Sequence, residues 1–133
     1  MFSKIAILRF SIAIFALLNA AAHLFPSPSG SMAGQFWFNL EVVAYTLIAI
    51  MCLLGLKRWY PIFIAYSVLN ITLFFLAGVI AMPGITQAPL SANLNFMSYD
   101  ISRLFSVASY LYLIVVGSIL LMVDKGSKLE ELY

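Results

Sequence analysis

Four apolar stretches alternate along this chain with breaks rich in proline, glycine and polar residues. The pattern predicts transmembrane helices over residues 5–25, 36–56, 62–82 and 103–123, with a short polar tail over 124–133. Each stretch holds about 20 residues, which as a helix spans about 30 Å, the thickness of a bilayer's hydrocarbon core. The first stops at Pro26-Ser27-Pro28-Ser29-Gly30, where two prolines and a glycine end any helix. The second stops at Lys57-Arg58-Trp59-Tyr60-Pro61, a basic and aromatic turn suited to headgroup depth. Residues 83–99, PGITQAPLSANLNFMSY, carry no charge and make a connection longer than most, which reads as a cap over the outer mouth of the bundle. The expected fold is all-α, a single integral membrane domain built as a four-helix transmembrane bundle.

Within each stretch the small and polar residues share one face. Arg9, Ala13, Ala16, Asn19, Ala20 and His23 form the first stripe, and Glu41, Tyr45, Ile48, Cys52 and Gly55 the second. Ser67, Asn70, Phe74, Ala77, Gly78 and Ala81 form the third, and Arg103, Ser106, Tyr110 and Gly117 the fourth. Lipid accepts neither polar groups nor close backbone approach, so such stripes face protein. Asn70 falls near mid-membrane, where an unpaired amide costs several kcal/mol, so it is expected to point into the bundle and find a partner.

Composition agrees. The chain is 64% hydrophobic and 9% charged, against about one quarter charged for a soluble domain, and four spans leave no room for a second domain. A net charge of +2, with basic residues scattered singly or in one pair, excludes a nucleic-acid surface. The expected partners are the lipid bilayer and either other membrane subunits or a second copy of the chain. Lys4, Arg9, Lys57, Arg58, Lys125 and Lys128 flank one side and Arg103 the other, which places both termini in the cytoplasm of a cell-membrane protein. The N-terminal segment reads as a retained helix rather than a cleaved signal. Arg9 is expected to extend to the inner interface and orient its helix. Cys52, the single cysteine, allows no intrachain disulfide or cysteine metal site and reads as an inert buried thiol.

This topology brings separated residues to one depth. His23 and Asn19 end the first span, Glu41 lies just inside the second with Tyr45 one turn on, and Arg103 opens the fourth. Two readings stay open for this group. In one, Glu41 and Arg103 form an ion pair that joins the second and fourth helices, since buried charges must pair whatever the function. In the other, Glu41, His23, Arg103, Asn19 and Tyr45 make a site for a proton or a polar head group. A quinone needs donors to its carbonyl oxygens and a group that exchanges protons, and histidine with a carboxylate supplies both. One histidine excludes bis-histidine haem within the chain, and no metal site is expected. No phosphate loop, His-Glu-x-x-His, Gly-x-Ser-x-Gly or paired aspartates occur, and no cofactor motif is recognisable. Whether the chain is an enzyme stays open: redox activity would depend on partner subunits or a bound cofactor such as quinone.

Arg9 early in the first helix, the Pro26 and Pro28 loop, Glu41 near the start of the second helix and the closing run Leu53-Leu54-Gly55-Leu56-Lys57-Arg58 resemble the DoxX/DoxD group of small four-helix membrane proteins. The resemblance covers roughly the first 80 residues. His23 stands where that family often has a lysine, and the interval from Glu41 to Gly55 is about one helical turn longer than the family's usual spacing. What the resemblance implies is a link to quinone-dependent redox chemistry, as in the membrane subunit of thiosulfate:quinone oxidoreductase, with Arg9 and Glu41 as the matching positions. Two alternatives remain beside a quinone-linked subunit: a non-catalytic accessory subunit docked on larger membrane partners, and a small proton-coupled transporter.

Overall fold

The computed structural model of the chain describes residues 3–27, 30–82, 85–86 and 88–128. Four long helices carry it: α1 (Lys4–Ala22), α2 (Met32–Leu53), α3 (Tyr60–Val79) and α4 (Ile101–Val123). All four are long and apolar enough to cross a membrane, and the chain is an integral membrane four-helix bundle.

Local chemistry sets the ends. Ser3, Ser31 and Asp100 each cap a helix by accepting a backbone N–H from the first turn, of Ala6, Gly34 and Arg103 respectively. The Ser31 cap starts α2 at Met32, four residues before the apolar stretch suggests. Gly55 ends α2 in a left-handed conformation with φ +69°; its N–H bonds the Cys52 carbonyl and the Leu56 N–H that of Met51. Pro61 sits in the first turn of α3, where no N–H is missed. Pro28 and Ser29 of the first break, Pro83, Gly84 and Gln87 of the long connection, and the tail residues Glu130 and Glu131 lie outside the described residues.

The helices alternate in direction. α1 lies between α2 and α4, and α3 leans on α4; α2 and α3 make no comparable backbone approach. Side chains close that seam instead, with Tyr66 and Asn70 of α3 hydrogen-bonded to Glu41 and Tyr45 of α2. Small residues on α1 (Ala13, Ala16, Ala20) allow its close contacts, and Tyr45, Ile48, Tyr110, Leu113 and Leu120 fill the centre. Large apolar side chains such as Ile7, Leu47, Val79 and Leu111 are exposed all round, the surface that lipid requires.

One end of the bundle carries the start of α1 and the end of α4. There Arg9 turns inward, contrary to the expectation that it reaches an interface. Its Nε and Nη2 donate to Asp124 at 2.8 and 2.7 Å, and Asp124 also accepts from the Tyr60 hydroxyl and the Gly126 N–H, each at 2.8 Å. Gly55 faces this pair so closely that a Cβ would stand 2.6 Å from the Arg9 guanidinium. Ser127 then folds back, its N–H on the Gly55 carbonyl and its hydroxyl on that of Leu54. At the opposite end, residues 88–99 fold down over α3: the Leu90 N–H bonds the Ala77 carbonyl, Leu94 covers Gly78, and Asn93 donates to the Phe74 carbonyl.

Candidate functional site

The loop end of the bundle holds a half-open cavity of about 760 Å³. Its walls come from the ends of all four helices and its roof from the long connection. Residues 82, 85, 86, 90, 93 and 99 line it, so this connection covers the mouth. His23, Asn93 and Arg103 bring polar groups to the wall, Asn70, Ser106 and Tyr110 line it from within the bundle, and Trp37, Phe38 and Phe74 supply aromatic surface. This is the size and mixture of a small-molecule site: mainly apolar, with a few converging donors and acceptors.

Each wall group is held in place. His23 caps α1, its Nδ1 2.8 Å from the Asn19 carbonyl and its ring edge-on to Phe38 at 4.6 Å. Arg103 uses Nε on the Asn93 side-chain oxygen (2.8 Å) and Nη1 on Asp100 (3.1 Å), while Nη2 takes part in neither bond. The Tyr99 hydroxyl donates to the Asn93 carbonyl, so Asn93 ties α3, α4 and the roof together. Among the cavity's phenols, Tyr99 has its proton held more firmly than usual by burial, against the pull of Arg103.

Within the bundle beyond the cavity lies a buried polar belt to which every helix contributes. Glu41 is fully buried, and its Oε1 accepts from the Tyr66 hydroxyl at 2.8 Å. Asn70 donates to the Tyr45 hydroxyl at 3.2 Å, which lies 3.3 Å from Ser67 Oγ; Asn70 is also within reach of Glu41. The Tyr45 ring stands 5.6 Å from that of Tyr66 and 6.0 Å from that of Tyr110. Asn19 contributes from α1, beside the Tyr110 hydroxyl but without hydrogen-bond geometry to it.

The five residues singled out from the sequence therefore divide. His23 and Arg103 stand on the cavity wall, while Glu41, Tyr45 and Asn19 belong to the buried belt. The ion pair between Glu41 and Arg103 is not formed: Arg103 pairs with Asp100, one turn away on its own helix end, and Glu41 faces hydroxyl and amide groups. Local capping wins because Asp100 is already fixed at the start of α4 by its bond to the Arg103 N–H. Sequence reasoning missed Tyr66, Asn93 and Asp124. Tyr66 was findable, since it lies four residues before Asn70 on the same side of α3; Asn93 and Asp124 reach their partners only through the tertiary fold. Among the described residues no group of three or more histidine, cysteine or carboxylate side chains is placed to hold a metal ion.

No family model, no curated protein and no solved structure matches the chain.

Proposed function

We propose that the chain is a small integral membrane subunit of a quinone-linked redox or respiratory complex, which holds a quinone head group in the cavity and exchanges protons beside it through Glu41. The observation that carries this reading is the placement of a cavity of about 760 Å³, with Arg103 and His23 on its wall, next to a fully buried carboxyl. The volume suits a substituted ring. Arg103 Nη2, Asn70 and the Tyr110 hydroxyl offer donors to carbonyl oxygens, and the aromatic walls suit a flat apolar ring. A buried carboxyl against which no described residue brings a cation is costly to keep charged, so its position about midway along α2 favours a role in proton handling. The resemblance to DoxX/DoxD proteins, at Arg9 and Glu41, points the same way. The basic residues flanking the terminal end favour a cell-membrane orientation with both termini cytoplasmic and the cavity toward the outer face.

Trp37 lies on the cavity wall, and the only other tryptophan, Trp59, precedes α3 at the opposite end. In a Trp59→Phe protein reconstituted in nanodiscs, a short-chain quinone is expected to quench Trp37 fluorescence saturably. Arg103→Gln should weaken that binding about tenfold, the loss of one hydrogen bond from a charged donor. Quenching that rises linearly with quinone, and equally in the variant, would overturn the reading and leave a non-catalytic accessory subunit. Separately, a Glu41→Gln protein that assembles and supports quinone-dependent turnover at the normal rate would rule out the proton role.

A further inference from the structure

Three buried side-chain atoms lack a hydrogen-bond partner among the described residues: Glu41 Oε2 and both polar atoms of Asn19. All three belong to the polar belt, and both residues are 0% exposed. Buried polar atoms in folded proteins are almost always paired with protein or with ordered water, and the cost of leaving one bare is greatest in the apolar middle of a membrane. The orphaned acceptor on α2 and the orphaned donor and acceptor on α1 therefore each call for a partner. Tyr110 of α4 connects them, since its hydroxyl lies beside Asn19 and within electrostatic range of Glu41, and its side chain also lines the cavity.

We infer that Asn19, Tyr110 and Glu41 Oε2 form a buried hydration site, opening onto the cavity, through which Glu41 exchanges its proton. The guest must both donate and accept, because the groups left over are a carboxyl oxygen, an amide oxygen and an amide NH₂; water meets that demand. Among the described residues no lysine, arginine or further carboxylate is in contact with these groups: α1 adds His23, bonded to the Asn19 carbonyl, α2 adds Tyr45, α3 adds Tyr66, Ser67 and Asn70, and α4 adds Tyr110. Tyr66 occupies Oε1 of Glu41, so exchange runs at Oε2. The step is a simple swap, in which a water proton replaces the carboxyl proton and the departing proton passes to the same water chain; no bond to carbon changes. This rests on the reading of Glu41 as a proton-handling group and adds the route by which the cavity reaches it.

Infrared spectroscopy of the reconstituted protein in mildly acidic buffer tests the site without any ligand. The Glu41 carboxyl band, identified by its loss in Glu41→Gln, is expected to downshift within the time of transfer to D₂O. Asn19→Leu should slow that shift at least tenfold. Tyr110→Phe, which keeps the ring and removes only the hydroxyl, should slow it likewise and serves as the second variant if Asn19→Leu misfolds. A wild-type band that stays unshifted, or one that exchanges as fast in the folded variants as in wild type, overturns the hydration site. Saturable quenching of Trp37 by quinone, measured on the Trp59→Phe protein with Asn19 and Tyr110 intact, reads the cavity independently, so failure of the hydration site and failure of the head-group reading are distinguished.

Discussion

Asp124 shows how one residue can hold an end of the bundle. Burial alone would raise its carboxyl pKa, but the Arg9 hydrogen bond, the Gly126 N–H and the Tyr60 hydroxyl outweigh burial and hold it below the ordinary carboxylate value. The folded state therefore releases that proton more readily than the unfolded chain. The resulting stabilisation is complete above the ordinary aspartate value of about 4 and is lost as pH falls through the lower folded value. Thermal unfolding in detergent should show the wild type losing stability on acidification below about pH 4, with a smaller loss in Asp124→Asn. At neutral pH that variant should lose ~3 kcal/mol, toward the lower end for breaking a buried pair because Arg9 keeps 19% exposure. Equal stability of the two proteins at pH 7 would show that the pair contributes nothing. None of this was legible in the sequence, where Arg9 and Asp124 stand 115 positions apart.

The elements themselves were more legible. Helix number, the buried stripes and the proline breaks follow from apolar length and spacing. Ala13, Ala16, Asn19, Tyr45, Ser67, Asn70, Ser106 and Tyr110 are all buried, as their stripes require. The ends were less so, because capping by Ser31 and Asp100 extends α2 and α4 beyond the apolar runs. Hydropathy also says nothing of how residues 88–99 fold: that depends on Asn93, whose amide joins α3 to Arg103. Asn93→Ala removes both side-chain bonds, each worth about 1 kcal/mol. Hydrogen exchange over residues 90–99 should then accelerate about tenfold or more, while α1 and the centre of α4 keep their protection. Unchanged exchange would assign the roof to Leu90 and Leu94 alone.

For the whole molecule, the central feature is the separation of two polar regions inside an apolar shell. The terminal end is clasped by Arg9, Asp124 and Tyr60, while the loop end opens into a cavity above Glu41. The sequence brought the right residues to roughly one depth but assigned Arg103 the wrong partner choice in one of its two readings, since depth alone does not say which side chains meet. A site at one end, roofed by its own loop and surrounded by lipid-facing helices, suits a guest that shares the membrane with the protein.

Photolabelling with an azido-substituted quinone in nanodiscs tests that claim most directly. Saturable labelling is expected to be confined to cavity residues, in the segments carrying Trp37, Asn70, Asn93 and Arg103, with protection by excess unlabelled quinone. Label spread over lipid-facing positions such as Ile7, Leu47 and Leu111, with no protection, would contradict it.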